Sequence, residues 1–420
     1  MARGQSPRPR TSRSTVDTNG AWGHLVNGAS SQLAIWDLRA LRVLRRAVKS
    51  NAPPGLSCFS CRVKSVLGRT RRLRRIISKT AMHNHPLPRL DQINLELKEA
   101  LTRFCRLKLG DVWVDPIGRH RVMCGDASDD VDTAKLMDGV QAALAIQDPP
   151  YNFIAFERRS TDDFTEWCGR WVALTCRSLA ENAALYVWIG ADQTSDFEPL
   201  PEFMIMMRGT AFRARSFITV RNQRGFGTQK NWMAVRQELL YYTKGSPTFE
   251  VQAEYTGIPK ILRGYYKDVA GRRTENAERG GSPNIRAGNV WVDVQQVFYR
   301  MEENVSGCYA QKPLLAYERI ISASSRPGDV VIDWFGHSGT SMLAAERLGR
   351  RCFAMDTDPI CCEIAIRRLE RFRNLGRIGW QGGHAFEDEE TRDPRLASAL
   401  RTAVPKSTDL PLVNLFSLAE

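Results

Sequence analysis

Asp148-Pro149-Pro150-Tyr151 brings an acidic side chain, a stiffened backbone carbonyl and an aromatic ring together within four residues. Proline fixes φ and carries no N–H, so the carbonyl of Pro149 is left without a ladder partner. Two neighbouring acceptors suit a nitrogen that presents two hydrogens. The exocyclic amine of adenine or cytosine is such a nitrogen, and a poor nucleophile, because its lone pair is delocalised into the ring. Held between the Asp148 carboxylate and the Pro149 carbonyl, it would be favoured in the tetrahedral, more nucleophilic form. Tyr151 is placed to stack on a base swung out of a duplex. Taken alone, the tetrapeptide reads equally well as a turn after a strand, with Asp148 capping a helix and Tyr151 packing.

The elements around it sharpen the reading. Residues 142–146, Ala-Ala-Leu-Ala-Ile, have the length and apolarity of a buried parallel strand. Open α/β sheets bind ligands at the carboxyl ends of such strands. A second strand, 330–333, leads into Phe335-Gly336-His337-Ser338-Gly339-Thr340 and a helix over 341–348. Strand, small-residue turn and helix form a ligand loop of the dinucleotide type. The next strand, 352–355, ends at Asp356, some twenty residues on, where an acid is placed to bond ribose hydroxyls. The bland alternative is an ordinary βαβ turn with a capping acid. Gly125-Asp126 sets another acid at a strand end. Phe164, Trp167, Trp171 and Leu174 fall at helical spacing and read as core. Further strands are expected at 184–189, 217–220 and 237–243, a short hairpin at 110–121, and helices at 95–107, 311–321 and 364–372.

A chain of 420 residues, 43% hydrophobic, is large enough for two or three domains with a proper core. No apolar run reaches the length of a membrane span, and the Arg-rich start lacks the apolar core of a secretory signal. The ten cysteines are scattered and form no even framework, so a reduced, cytoplasmic setting is expected. The formal charge of +14 is concentrated at one end: residues 1–80 hold 17 Lys and Arg against Asp17 and Asp37. Within that segment, 33–48 has the pattern of a basic amphipathic helix, which suits phosphates or simply a solvated face. Cys58 and Cys61, with His83 and His85 downstream, match no common zinc spacing, and no metal is expected. From 221 to 286, cations recur among Gly, Asn, Gln and aromatic residues. Phosphate contacts want the cations and base edges want the long polar side chains, although a solvated loop has the same composition.

In type and order, Gly125-Asp126, the Asp148 tetrapeptide, Lys312-Pro313, Asp333 with 335–340, and Asp356 resemble the β-group of amino-directed DNA methyltransferases. The resemblance is to the DPPY type, including phage- or prophage-like members, and spans about residues 110–380. It implies an α/β fold: a circularly permuted, Rossmann-like, S-adenosylmethionine-dependent methyltransferase sheet with an inserted target recognition domain. It implies Asp148, Pro149, Pro150 and Tyr151 as the catalytic group. Asp126, Lys312, Asp333, Phe335, Gly336, Ser338, Gly339, Thr340 and Asp356 are then the cofactor-binding set. Arg221, Arg224, Lys230, Arg263, Lys267, Arg272 and Arg273 are the expected DNA contacts. The expected division is a basic, partly disordered extension (1–107), a catalytic half (108–224), the recognition domain (225–297), a cofactor half (298–382) and a flexible tail (383–420).

The implied activity is site-specific methylation of double-stranded DNA, by direct in-line transfer to a flipped base. In this family an initial Asp usually accompanies adenine N6, and an initial Ser more often cytosine N4, so adenine is chosen. The alternatives are cytosine N4, an inactive DNA-binding relative, and an RNA or protein amide substrate. No Pro-Cys dipeptide occurs, which argues against a cysteine nucleophile acting on cytosine C5. A restriction endonuclease partner or an orphan enzyme, and a monomer or a homodimer, all fit. The chain departs from the family pattern twice. Trp334 stands where Asp-Pro-Phe has its Pro, and His337 stands where F-x-G-x-G has its first Gly. Either His337 crowds the methionine moiety of the cofactor, or the turn has φ < 0 there and accepts a side chain.

Overall fold

Apolar, partly β-branched runs are what the centre of this structure is made of, and the order in which they pair decides which loops meet. The computed structural model describes residues 86–150, 160–190, 199–226, 234–250, 255–259, 266–275 and 283–403. Tyr151, Lys230, Arg263, the 33–48 segment, Cys58 and Cys61 lie outside them.

The elements in chain order are α1 (Leu95–Thr102), β1 (Val112–Val114), β2 (His120–Cys124), α2 (Asp130–Met137), β3 (Ala142–Gln147), α3 (Thr161–Ser178), β4 (Leu179–Ile189) and α4 (Pro199–Met207). Then come β5 (Arg213–Phe226), β6 (Ala234–Lys244), β7 (Tyr255–Pro259), β8 (Tyr266–Val269), β9 (Arg272–Glu275), β10 (Asn284–Arg286) and β11 (Val290–Trp291). The last are α5 (Leu314–Ser324), β12 (Val330–Asp333), α6 (Thr340–Arg347), β13 (Arg351–Asp356), α7 (Pro359–Leu375), α8 (Glu387–Arg392) and α9 (Pro394–Ala403).

One nine-stranded sheet runs β1-β2-β13-β12-β3-β4-β6-β5-β11. From β2 to β4 every neighbour is parallel. The carboxyl ends of β2, β13, β12, β3 and β4 therefore share one edge, and Asp126, Asp356, Asp333 and Asp148 arrive there together. β6 runs antiparallel to both β4 and β5. The fold is thus mixed α/β, with a parallel-rich centre.

Side chains alternate across each strand, so each face of the sheet carries its own core. Along β4, Ala184, Tyr186 and Trp188 enter one cluster, with α5, α6 and α7. Leu185, Val187 and Ile189 enter the other, with α2, α3 and α4. α3 starts at a capping box in which Ser160 and Asp163 bond each other's backbone N–H. Pro359 at the first turn of α7, behind the capping Asp358, fixes that helix start.

Two expectations about the ends are corrected. The segment beyond Gly382 is not a flexible tail throughout: α8 and α9 follow, and Phe386, Leu396 and Leu400 are buried against Leu97, Leu101 and Ile364. The reason is the amphipathic spacing of α9, which matches an apolar stripe on α1. For the same reason the extension expected up to residue 107 joins the body from Leu87 onward. The region expected as an insert, 225–297, is divided. β6 and β11 belong to the main sheet, whereas β7–β10 and β8–β9 form separate two-stranded sheets. Among the described residues, no helix is long and apolar enough to cross a membrane.

Candidate active site

β3 ends in a buried glutamine. Gln147 Nε2 donates to Thr175 Oγ1 of α3 at 3.3 Å, and its Oε1 accepts the backbone N–H of Trp334 at 2.9 Å. One side chain thus fastens the strand before Asp148 to the turn after β12. A proline at position 334 could not give that bond, so the departure at Trp334 has a partner in Gln147. The next residue, Asp148, is gripped by Lys312, whose Nζ lies 2.8 Å from Oδ1 and 2.7 Å from Oδ2. Lys312 had been expected only among the cofactor ligands.

The turn 334–340 is held from below. Asp333, 1% exposed, accepts the Phe335 N–H at 3.1 Å, and burial pushes its carboxyl up to about 7. Phe335 lies edge-on to Trp167 and Trp171, with centroids 5.8 and 5.4 Å away, so the α3 aromatics support it. A Cβ on Gly336 would come within 3.2 Å of the Met355 carbonyl, and one on Gly339 within 2.8 Å of the Ala365 Cα. Both glycines therefore let β13 and α7 close on the turn. His337 has φ of +43°, so the expectation of φ < 0 at this position is corrected: the backbone lies in the left-handed region that favours glycine. Burial keeps its imidazole below the usual value, hence neutral near pH 7.

Asp356 does more than wait for a ligand. Its Oδ2 accepts the His337 N–H and its Oδ1 the Asp358 N–H, both at 2.9 Å. Burial raises this carboxyl to about 6. Asp126 is exposed at the end of β2, where Oδ1 accepts both the backbone N–H and the hydroxyl of Ser128 at 2.8 Å. Arg368 of α7 escaped the sequence reading. Fully buried, it donates to the Ser338 carbonyl and to Thr340 Oγ1, both at 3.0 Å, and also to the carbonyls of Ile378 and Glu303. Nothing local in its sequence marks it, since an Arg on a helix ordinarily reads as a solvated face.

Residues 142–367 match the model of the N6_N4 family, described as DNA methylase. That stretch is more than half of the chain. The chain belongs to this DNA methylase family. The family's methyl donor is S-adenosylmethionine.

Similar proteins include the Type II methyltransferase M.HpaI of Haemophilus parainfluenzae, 27% identical over 60% of this chain and 74% of its own length. Another is M1.MboII of Moraxella bovis, 29% identical over 56% of this chain and 90% of its own. The DNA adenine methyltransferase YhdJ of Escherichia coli is 25% identical over 54% of this chain and 76% of its own. Among solved structures, the cytosine-N4-specific PvuII DNA methyltransferase superposes with a TM-score of 0.45 and 14% identity, covering 67% of this chain and 93% of that one.

In this methylase Asp148 and the small-residue turn thus follow adjacent strands, β3 and β12. The cations expected to meet DNA are spread more widely. Arg221 is exposed near the end of β5, opposite Arg236 of β6. Arg224 follows on the same strand, Lys267 lies on β8, and Arg272 and Arg273 lie on β9.

Proposed function

We propose that this methylase modifies the N6 amine of adenine at a defined sequence in double-stranded DNA, by direct transfer to a flipped base. The observation that carries the reading is the placement of the Asp148 carboxylate beside the turn 335–340, across the β3–β12 pair. The site suits S-adenosylmethionine by its donor set. The first N–H groups of a helix lack intrahelical partners, so α6 offers donors for a carboxylate. Asp356 and Asp126, at neighbouring strand ends, offer acceptors for hydroxyl and amine hydrogens. When bound, that cofactor supplies a methyl group on a cationic sulfur, ready for displacement.

The chain's own residues do the rest by positioning. Asp148 and the Pro149 carbonyl take the two amine hydrogens and favour the tetrahedral nitrogen. Tyr151 stacks on the extruded base. The cofactor set is Asp126, Lys312, Asp333, Phe335, Gly336, Ser338, Gly339, Thr340 and Asp356. We read the sheet as circularly permuted, because β12 with its turn follows β3 in the chain yet lies between β13 and β3. The region around β7–β10, with Arg224, Lys230, Arg263, Lys267, Arg272 and Arg273, is read as the part that meets DNA. Adenine is chosen because Asp rather than Ser opens the tetrapeptide.

The test is single-molecule sequencing of genomic DNA from cells expressing the chain, beside an Asp148→Ala control. N6-methyladenine in one short motif, absent from the control, is the expected result. N4-methylcytosine would keep the chemistry and correct the base. A soluble protein that leaves no modification above the control would overturn DNA methylation as its activity.

A further inference from the structure

Lys312 sits just before α5, and only 5% of its side chain is exposed. Its ammonium lies between the two oxygens of Asp148, with the Trp188 ring centroid 5.3 Å away. On its backbone side, the Lys312 carbonyl faces Thr340 Oγ1 at 3.4 Å, and the same oxygen accepts from Arg368. One run of bonds thus passes from a buried guanidinium, through the first residue of α6, to the carboxylate at the end of β3.

The Asp terminal torsion is broad, so an unsupported carboxylate can turn through many planes. A single ammonium nearly equidistant from both oxygens anchors that carboxylate and balances its charge. It leaves lone pairs on each oxygen for other donors. Taking apart a buried pair is costly, so the ammonium stays in place when an amine approaches. Among the described residues, His337 in the turn and Asp333 at the end of β12 also feel the charge of Asp148. The first is neutral and the second is an acid, so among these groups Lys312 alone carries positive charge.

We propose that Lys312 is a positioning residue for methyl transfer: it anchors the Asp148 carboxylate, balances its charge and ties that acceptor to the turn at the start of α6. The proposal rests on the reading of Asp148 as the amine's acceptor.

The experiment compares full-length Lys312→Gln, Lys312→Met and Lys312→Arg with the parent, on a duplex carrying the motif found by sequencing. Both neutral variants are expected to lose about a hundredfold in kcat, on the scale of a lost preorganised group. Their Kd for the duplex should stay within about threefold, because the lost group acts on the transition state and not on binding. Lys312→Arg should recover part of the lost kcat but not all of it, because it keeps the charge while a fork does not reproduce a point charge.

A kcat within about threefold of the parent in both neutral variants, or no recovery of kcat in Lys312→Arg, overturns the proposal. If the neutral variants do not fold, Lys312→Arg decides: a fall in kcat with the duplex Kd unchanged supports it, and parental kcat overturns it. Asp148→Asn separates the layers. If it is as active as the parent, the reading of Asp148 fails; if it is inactive while Lys312→Gln is not, only the role of Lys312 falls.

Discussion

Asp333 and Asp356 are carboxyl groups that burial has moved into the neutral range, to about 7 and about 6. A folded-state value above the unfolded one, about 4, means that the fold binds the proton more tightly. The stability each contributes is then fully present below about pH 4 and lost as pH rises toward the folded value. Asp333→Asn removes this dependence for one group and keeps an acceptor for the Phe335 N–H. Relative to the parent, the variant should be more stable at pH 8 than at pH 5, read as the shift in urea midpoint at each pH. Equal shifts would contradict a raised Asp333, since the Asp356 contribution is common to both proteins. His337 belongs to this scale too. A side chain at φ of +43° costs on the order of 1–3 kcal/mol, which the Asp356 bond to its N–H helps to hold in place. From sequence, position 337 was legible as unusual, but the sign of its φ was not, because a dihedral depends on what the turn is bonded to.

At the scale of elements, the close approach of α7 to the turn before α6 is what fixes that turn against the sheet. Gly339 and Gly349 both have φ of +71°, so each substitution by Ala carries the same backbone penalty, about 1 kcal/mol. They differ in surroundings. A Cβ at Gly349 meets nothing within 4 Å, whereas one at Gly339 meets Ala365 at 2.7 Å. Gly339→Ala should therefore destabilise more than Gly349→Ala by about 1–3 kcal/mol of overpacking, measured by denaturant titration. Equal destabilisation would mean that α7 yields without cost. Elements with strong local signals were legible: β12 spans the expected residues 330–333, and the aromatic spacing of α3 is indeed core. α9 was missed because a few apolar residues in a polar stretch read as a helix only once α1 supplies the surface that buries them.

For the whole molecule, charge is the organising quantity. The 17 cations of residues 1–80 outweigh the formal total of +14, so the rest of the chain is close to neutral. Deleting residues 1–79 is expected to lower the slope of log affinity against log salt for duplex DNA, by nearly one for each phosphate that the segment neutralises. The methylated base should not change, because every residue in the candidate site lies beyond 125. An unchanged slope would place the phosphate-binding cations in the body, near Arg221 and the β7–β10 region.

The sequence by itself determined the chemistry on offer and the family. Asp148-Pro149-Pro150-Tyr151, the 335–340 turn and Asp356 are short local patterns, whose meaning comes from residue type and spacing along the chain. Only the tertiary structure decided what those groups touch. Asp148 and Lys312 are 164 residues apart, and Gln147 and Trp334 are 187 apart. Such pairings follow from strand order, β13-β12-β3-β4, and from which helices close on each face. That order is set by the burial of whole surfaces, so no window of sequence contains it. The grip of Lys312 on Asp148, the Gln147 bond to the turn and the buried Arg368 beneath it all appear at that level.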